Sequence, residues 1–214
     1  MKKVYFVRHG ETEANADSVS HGPKELLNEK GRVQAKTVAQ RFETIPVDVL
    51  ISSPYPRALS TAQEIAQTTK KEIIQSDLFI ERVFPSETVD KSYADPQSVL
   101  IKAQMAANVH DPKWHYSDEE NFFDLQERAK KAIAFLEDRP EENIAVVSHG
   151  MFIRFMMATM LDPHMDPVLF QKWNLFFKTI NTGITYCRKD RDDSQYTGWR
   201  LLSWNDHAHL GELK

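Results

Sequence analysis

The sequence predicts an α/β fold, built as a three-layer α/β/α sandwich around a mostly parallel central sheet. Short runs of strand-forming residues alternate with helical patterns along the chain, and a helix between successive strands is the connection that parallel strands require. The chain has 214 residues, enough for one domain with a full core, and no repeat or flexible linker divides it. We therefore predict a single domain over residues 1–214, with a cap insertion over the site at about residues 83–121.

The predicted strands are rich in β-branched and aromatic residues. In chain order they are Val4–Val7, Val47–Ser52, Glu72–Gln75, Ile144–Ser148, Gly183–Cys187 and Trp199–Trp204. The predicted helices have apolar residues that recur every three or four positions. They cover Glu29–Glu43, Pro56–Thr68, Ser98–Val109, Phe122–Asp138, Met151–Leu161 and Asp166–Phe176. The helix that begins at Met151 is apolar nearly all round, which indicates that it packs beneath other structure.

Residues 83–121 interrupt the alternation of strands and helices. This stretch is rich in turn-forming and aromatic residues and surrounds one helical pattern, and it is too long for an ordinary connection. Residues 85–121 contain seven acids and three lysines, a net charge of three minus seven, or −4. We expect this charge to repel a polyphosphorylated substrate. The aromatic residues predicted to offer apolar or stacking surfaces are Phe84, Tyr93, Trp114, Tyr116 and Phe122.

Composition excludes several classes of protein. The net charge of −4 supplies no basic field for nucleic acid or an anionic membrane, so we predict neither as a partner. Cys187 is the only cysteine, which rules out an internal disulfide and a thiol-rich metal site and favours a reducing compartment. The apolar run before Arg8 is too short for a signal sequence or a membrane span. We therefore expect a cytoplasmic protein.

Three histidines are followed directly by glycine, namely His9, His21 and His149. His9 and His149 each close a predicted strand, whereas no strand precedes His21, which we interpret as a loop residue. The carboxyl ends of parallel strands share one edge of a sheet, where α/β proteins bind their ligands. The sequence therefore predicts that the imidazoles of His9 and His149 meet at this edge.

Two histidines at a strand edge suit either a metal site or a nucleophile with a partner. Neither strand end has an HxH or HExxH pattern that would supply further metal ligands, and Arg8 would repel a divalent cation. Arg57 lies near the start of a predicted helix, where backbone N–H groups and a guanidinium both favour phosphate oxygens. The combination of His9, His149, Arg8 and Arg57 predicts a phosphate pocket without a metal.

Several blocks of the sequence resemble motifs of the histidine phosphatase superfamily, in the branch that includes cofactor-dependent phosphoglycerate mutases and many small phosphatases. RHGETEAN resembles the opening RHGxxxxN, LNEKGRVQA resembles LTxxGxxQA, SSPYPRALSTA resembles SSxxxRAxxTA, and VVSHG resembles the strand with the second histidine. NTGIT and WNDHAHL resemble the closing segments. The blocks occur in the family's order over almost the whole chain.

The resemblance implies a metal-independent phosphatase that needs no cofactor and hydrolyses a phosphomonoester through a phosphohistidine. It implies that His9 is the nucleophile and that Glu81 is the general acid, with Glu87 as the alternative acid. The catalytic residues would be His9, Glu81 and His149. The phosphate-binding residues would be Arg8, Asn15, Arg57 and His149.

The chain departs from the mutase-like members in the segment after the acid. Those members have a glycine there and paired arginines in the insertion that hold a substrate carboxylate. Here RVFPSE follows Glu81, and no arginine occurs between Arg82 and Arg128. We therefore predict a phosphatase rather than a phosphoglycerate mutase. Its substrate would be a small phosphorylated molecule or a phosphoprotein side chain.

Two further classes of function stay open at this stage. A noncatalytic phosphate-binding signalling module would usually lack a histidine or the acid, whereas this chain retains all of them. A metal-dependent hydrolase would use His207 and His209, which are spaced as a ligand pair. Arg154, just over one helical turn after His149, is interpreted as structural. The sequence leaves the pathway and the oligomeric state open.

Overall fold

The central element of the computed structural model, which describes residues 1–20, 22–190 and 198–211, is a six-stranded sheet. Its strands are β1 (Lys2–Arg8), β2 (Val49–Ser52), β3 (Ile73–Gln75), β4 (Asn143–Ser148), β5 (Ile184–Lys189) and β6 (Trp199–Asp206). The strand order is β3-β2-β4-β1-β5-β6, in which β3, β2, β4 and β1 are parallel and β5 is antiparallel to both β1 and β6. All six predicted strands are confirmed. His21, predicted as a loop residue, lies outside the described residues.

Seven α-helices connect and flank the strands in the described part of the chain. They are α1 (Glu13–Ala16), α2 (Glu29–Arg41), α3 (Pro56–Thr69), α4 (Pro96–Ala107), α5 (Phe122–Asp138), α6 (Gly150–Leu161) and α7 (Pro167–Phe176). The six predicted helices are all present, with small shifts at their ends. The predicted helix ranges do not include α1, because a helix of four residues is too short to show a helical period in the sequence. A capping box holds α1 instead, in which Thr12 and Asn15 exchange hydrogen bonds.

Two hydrophobic cores lie on opposite faces of the sheet. Val7 and Val147 pack with residues of α2 and α3, whereas their neighbours Phe6 and Val146 pack with residues of α5 and α6. Successive residues of a strand point to opposite faces, so each buried strand contributes to both cores. The predicted three-layer sandwich is confirmed. The prediction that the apolar helix α6 packs beneath other structure is also confirmed, since most of its residues are buried.

Residues 83–121 extend away from the sandwich, and the two ends of this segment lie side by side. Val83 and Glu120 are paired there: Glu120 N–H donates to the Val83 carbonyl, and Val83 N–H donates to the Glu120 carboxylate, each at 3.0 Å. Between these two residues the chain forms a short 3₁₀ helix at Ser86–Thr88 and then α4. This paired base fixes the position of the segment relative to the sheet.

Arg128 of α5 connects the base of this segment to the residues just before Glu81. Its Nε and Nη2 atoms each donate to the Glu120 carboxylate at 2.7 Å, and its Nη1 atom donates to the carbonyls of Leu78 (3.1 Å) and Ile80 (2.9 Å). The Arg128 and Glu120 side chains are 12% and 18% exposed. The guanidinium group of Arg128 thus donates to a carboxylate on one chain segment and to backbone carbonyls on another, and it holds the two segments in a fixed geometry.

The described residues include no helix that is both long enough and apolar enough to cross a membrane.

We predict that Arg128→Met strongly destabilises the protein. The substitution removes two of the donors to the Glu120 carboxylate and the donor to the carbonyls of Leu78, Ile80 and Glu81. Breaking a largely buried ion pair in this way costs about 3–5 kcal/mol. The free energy of unfolding, measured by urea titration, provides the test. The control is Lys130→Met on the same helix, because Lys130 forms an exposed pair with Glu127 and such pairs contribute little. Equal effects of the two substitutions would contradict this account of Arg128.

Candidate active site

His9 and His149 meet at the carboxyl edge of the sheet, as predicted. Strands β1 and β4 are parallel neighbours in which Arg8 lies opposite Ser148, so the two histidines follow at the same level. The backbone N–H of His9 donates to the Ser148 carbonyl at 3.0 Å. The two ring centroids are 5.2 Å apart, and both side chains are buried.

The hydrogen bonds of His9 determine which ring nitrogen can react. Nδ1 lies 2.6 Å from the Gly10 carbonyl, which can only accept, so Nδ1 carries the proton. Nε2 accepts a hydrogen bond from Arg57 Nε at 3.3 Å. Burial is the main cause that holds the His9 pKa well below its usual range, and the charges of Arg57, His149 and Arg8 add to it. His9 is therefore a neutral imidazole with its lone pair on Nε2.

A close backbone approach positions the loop that carries His9. A Cβ atom on Gly10 would lie 2.4 Å from the Gly31 carbonyl oxygen, and a Cβ atom on Gly31 would lie 2.0 Å from the Glu11 carbonyl oxygen. The two glycines thus allow the start of α2 to pack directly on the loop after β1. Thr61 of α3 adds a hydrogen bond from the other side, because its hydroxyl accepts the Gly10 N–H at 3.0 Å.

Two arginines flank His9, and neutral oxygens hold both of them. Arg57, in the first turn of α3, is buried and donates to the Gly22 carbonyl at 2.9 Å. Arg8 donates from Nη1 to the Thr179 carbonyl at 2.7 Å, and its buried Nε atom has no hydrogen-bond partner among the described residues. Burial lowers the pKa of Arg8 to about 10 and also lowers the pKa of Arg57. Both side chains are therefore still cations at neutral pH.

His149 and Asn15 complete the surroundings of His9. His149 occupies the N-cap position of α6, and its Nε2 atom lies 2.8 Å from the Ser53 hydroxyl. Asn15 lines the same cavity, and its Oδ1 atom accepts a hydrogen bond from Asn181 Nδ2 at 3.1 Å. Asn15 therefore belongs to the wall of the cavity next to the loop that carries His9.

Glu81 binds the first turn of α6, next to His149. Its Oε2 atom accepts the Met151 N–H at 3.2 Å, and its Oε1 atom accepts the N–H groups of Phe152 (2.9 Å) and Arg82 (3.0 Å). Among the residues that the structure describes, Glu81 is the only carboxylate that lines the cavity. Glu87 does not line it and accepts a hydrogen bond from the Ser117 hydroxyl instead. The geometry therefore favours Glu81 over Glu87 as a residue that can reach a substrate.

The cavity has a volume of about 720 Å³ and lies between the sheet edge and the segment 83–121. The residues of this segment that line it are Phe84, Pro85, Thr88, Tyr93, Lys102, Met105, Ala106 and Val109. None of the seven acids between residues 85 and 121 is among them, so direct contact of these acids with a polyphosphorylated substrate in the cavity is not supported. Glu119, for example, turns inward and accepts the backbone N–H groups of Tyr116 and Ser117.

Arg154 has a second role that the sequence interpretation missed. It does connect elements, because Nε donates to Asn174 Oδ1 at 2.7 Å and Nη1 donates to the Thr179 hydroxyl at 3.2 Å. However, Arg154 also lines the cavity, as Arg82 does. The sequence did contain a signal for this position, namely the three-residue spacing between Met151 and Arg154. Residues three apart on a helix share a face, and these two both line the cavity.

The C-terminal histidines lie away from this cavity. His207 Nδ1 lies 2.7 Å from the Asn205 carbonyl, and His209 Nε2 lies 3.1 Å from the Thr182 hydroxyl. Within the described ranges, no group of three or more histidine, cysteine, aspartate or glutamate side chains is arranged to hold a metal ion.

Comparison with known sequences identifies similar proteins. The sequence model of the histidine phosphatase superfamily (branch 1) matches residues 4–207. Phosphoserine phosphatase 1 of Hydrogenobacter thermophilus is 29% identical over 223 residues, which cover 100% of this chain and 96% of that protein. "Probable phosphoglycerate mutase GpmB" of Serratia proteamaculans is 31% identical over 220 residues, which cover 98% of this chain and 95% of that protein.

Solved structures of similar proteins share the fold. A histidine-to-alanine mutant of phosphoserine phosphatase from Entamoeba histolytica, in complex with phosphoserine, has a TM-score of 0.79 and 25% identity, with coverage of 98% of this chain and 100% of that one. A mycobacterial glucosyl-3-phosphoglycerate phosphatase has a TM-score of 0.76 and 23% identity, with coverage of 96% and 99%. The second likeness is evidence for the fold alone.

We predict that His9 remains neutral, with its proton on Nδ1, well below the pH near ~6.5 at which an exposed histidine titrates. The cause is burial together with the adjacent cations. The measurement is a ¹⁵N NMR titration of the imidazoles, in which His9→Gln assigns the signal. Arg57→Met should raise the pKa of His9, because it removes the largest of the charge effects. A His9 signal that titrates at the ordinary pH in the wild type would contradict the prediction.

Proposed function

The chain belongs to branch 1 of the histidine phosphatase superfamily, and from that premise we propose that it is a phosphatase which hydrolyses a phosphomonoester through a phosphohistidine on His9. One observation carries the proposal above all. The Nε2 atom of a buried, neutral imidazole lies between two arginines, in a cavity whose one carboxylate among the described residues is Glu81. This arrangement provides a nucleophile, a site for a dianion and a proton donor.

Phosphate binding is the first step. Arg8 and Arg57 neutralise the two negative charges of the phosphate, and Asn15 and His149 add hydrogen bonds to its oxygens. The buried Nε atom of Arg8 supports this role, because it points to no acceptor in the described protein. Fixed cations also stabilise the charge that spreads over the equatorial oxygens in the transition state.

Transfer to His9 is the second step. Nε2 attacks phosphorus in line, the Nε2–P bond forms, and the bond from phosphorus to the leaving oxygen breaks. Glu81 gives its proton to that oxygen, so the product leaves as an alcohol. The ring becomes positively charged as the bond forms, and the Nδ1–H bond to the Gly10 carbonyl stabilises this charge.

Hydrolysis of the phosphohistidine is the third step. The Glu81 carboxylate accepts a proton from a water molecule as the water oxygen attacks phosphorus. The P–N bond breaks, its electron pair returns to Nε2, and inorganic phosphate leaves. His9 is then neutral and Glu81 is protonated, as they were before the first step.

The hydrogen bonds of Glu81 suggest which oxygen carries the proton. Oε1 accepts hydrogen bonds from two backbone N–H groups, whereas Oε2 accepts one. We therefore assign the proton to Oε2. Arg128 supports the main chain at this point, because its Nη2 atom donates to the Glu81 carbonyl at 3.3 Å. Glu81 is thereby held at a fixed distance from the histidines.

We propose that the reaction needs no metal and no cofactor, since the two arginines already supply the charge that a metal would. A cavity of about 720 Å³ beneath the cap favours a small phosphorylated substrate over a folded phosphoprotein. The net charge of −4 and the single buried Cys187 fit a cytoplasmic enzyme without a nucleic-acid or membrane partner. We also propose that residues 1–214 form one domain, in which residues 83–121 act as the cap.

Phosphoglycerate mutase activity is the second candidate function. Relatives of that name favour it, and the absence of arginine from the cap does not decide against it, because Arg82 and Arg154 bring cations to the cavity from other elements. A mutase returns the phosphoryl group to the substrate, whereas a phosphatase releases inorganic phosphate. A noncatalytic module fits less well, since His9, His149 and Glu81 are all at the site.

We predict that rapid acid-free quench of a reaction with ³²P-labelled substrate traps an adduct that is stable to base and labile to acid. His9→Ala should lack this adduct, because it removes the attacking nitrogen. The enzyme is dialysed against a chelator beforehand, and kcat/KM should remain unchanged. Steady turnover without an adduct, under conditions where transfer is faster than hydrolysis, would indicate direct attack by water. Loss of activity that a divalent ion restores would contradict the arginine-based mechanism.

We predict that Glu81→Gln slows phosphorylation of His9 by about 10²- to 10⁴-fold with an alkyl phosphate. The loss should be far smaller with nitrophenyl phosphate, because nitrophenol leaves without a proton. The phosphorylation step is measured in single turnover, since slow breakdown of phosphohistidine would hide the difference at steady state. Glu87→Gln is the matched control and should leave both substrates nearly unaffected. Equal losses with both substrates in Glu81→Gln would remove Glu81 as the acid.

A further inference from the structure

A second, smaller space adjoins the active-site cavity under the cap. This side pocket has a volume of about 100 Å³ and lies between the cap residues 105–122 and the helices α6 and α7. Among the described residues, six line both the cavity and the side pocket, namely Arg82, Met105, Val109, Met151, Gln171 and Asn174. Two of the six are methionines, whose unbranched side chains adapt readily to a ligand.

Met151 connects the side pocket to the reacting centre. Its backbone N–H donates to Glu81 Oε2 at 3.2 Å, and the same residue lines both spaces. In the proposed mechanism Glu81 protonates the leaving oxygen, so the organic group of the substrate begins next to Met151. The side pocket is therefore within reach of that group, on the side of the leaving oxygen rather than of the phosphate.

Apolar side chains line the part of the side pocket that the cavity does not share. They are Trp114, Phe122, Pro167 and Phe170. Phe122 and Phe170 are buried, and their ring centroids are 5.8 Å apart, which is a packed arrangement. With Met105, Val109 and Met151 on the border, these rings offer a surface that suits an apolar group.

Polar residues also line the side pocket, but their hydrogen bonds are made within the protein. Asn121 donates to two backbone carbonyls from Nδ2 and accepts two backbone N–H groups at Oδ1. Both carboxylate oxygens of Glu119 accept backbone N–H groups, at 2.6 and 2.7 Å. Asn108 and Asp111 likewise bond to backbone groups of the same segment. A ligand group that seeks hydrogen bonds therefore gains little here.

The charges around the side pocket do not favour an anion. Arg82 is the one cation of the described chain that lines it, and Glu119 and Asp111 line it as well. The guanidinium of Arg82 packs over the Phe84 ring, 5.2 Å from its centroid, and its Nε atom donates to the Glu120 carbonyl. A neutral group is therefore the better match for this space.

We propose that the side pocket binds an apolar part of the substrate, so that the enzyme prefers phosphomonoesters of alcohols that end in a single aryl ring or a branched alkyl group. The proposal rests on the phosphatase function above and names its substrate class. The active-site cavity, at about 720 Å³, lies in the range of roughly 300–1,000 Å³ that is typical of sites for larger organic ligands. A phosphate with a short alcohol leaves much of this space unfilled.

The test compares 2-phenylethyl, 3-phenylpropyl and 4-phenylbutyl phosphate with the alkyl phosphates of the same linker, which lack only the phenyl ring. The best wild-type ratio of kcat/KM, phenylalkyl over alkyl, should be at least about 10, since burial of an aromatic group contributes about that factor or more. Val109→Phe fills the side pocket from the cap and should lower this ratio by about 10-fold. Leu100→Phe, which adds the ring at an exposed position of α4 outside both spaces, is the matched control and should leave the ratio unchanged.

Met105→Gln provides a second variant if Val109→Phe fails to fold. It nearly keeps the size of the side chain but places an amide on the border of the side pocket, so the ratio should fall by about 3-fold or more. In a folded variant, an equal loss with both members of a pair would overturn the proposal. A wild-type ratio near 1 for all three linkers, or a higher kcat/KM with glycerol 3-phosphate than with every phenylalkyl phosphate, would also overturn it.

Failure of the phosphatase function is distinguishable from failure of the side pocket. Turnover of propyl phosphate and labelling of His9 report on the phosphatase function alone. If no substrate turns over, calorimetric titration of His9→Ala with 3-phenylpropyl and propyl phosphate measures the preference directly. Tighter binding of the phenyl compound that disappears in the His9→Ala, Val109→Phe double variant supports the proposal, and equal binding of the two compounds overturns it.

Discussion

The site depends on the placement of Arg8 and Arg57 beside His9 without an ion pair to any carboxylate of the described residues. Neutral oxygens hold each of them in place: the Gly22 carbonyl holds Arg57, and the Thr179 carbonyl holds Arg8. A carbonyl orients a guanidinium without neutralising it, so the positive field persists in the cavity. Burial is the main cause that lowers the pKa of His9, and the same cations lower it further, so the imidazole is neutral. The proposed affinity for phosphate and the proposed reactivity of the imidazole thus depend on the same arrangement of charge.

Paired arginines perform the opposite task in this protein. Arg128 forms a fork with Glu120 and binds the carbonyls around Glu81, so it holds the main chain at Glu81, the residue that we propose as the proton donor. The difference between Arg128 and Arg57 is only the presence of a carboxylate within reach. Arg128 therefore joins chain segments of the fold, whereas we propose that Arg57 binds the phosphate.

The parts of the site that the sequence predicted are those that depend on strand topology. His9 and His149 each follow a buried strand and precede a glycine, and parallel neighbours bring such residues together whatever their separation in the chain. The position of Arg154 in the cavity wall was harder to predict, because strand topology does not bear on it and its three-residue spacing from Met151 was the available signal. The orientation of the cap was equally hidden. Residues 85–121 do carry a net charge of −4, but carboxylates such as Glu119 accept hydrogen bonds from backbone N–H groups of the same segment. Composition gives the number of carboxylates and does not show which way each side chain points.

The chemistry and the choice of substrate are carried by different elements. His9, the proposed nucleophile, directly follows β1, and Arg8 and Arg57 lie in β1 and α3, where close backbone contacts leave little freedom. The far wall of the cavity comes from α4, α6 and α7, whose inward residues include Met105, Arg154 and Asn174. A substitution on the far wall can therefore alter which organic group is accepted while the imidazole keeps its tautomer and its field. In the proposed mechanism the sheet edge therefore constrains the reaction, whereas residues 83–121 and the helices beside them constrain the leaving group.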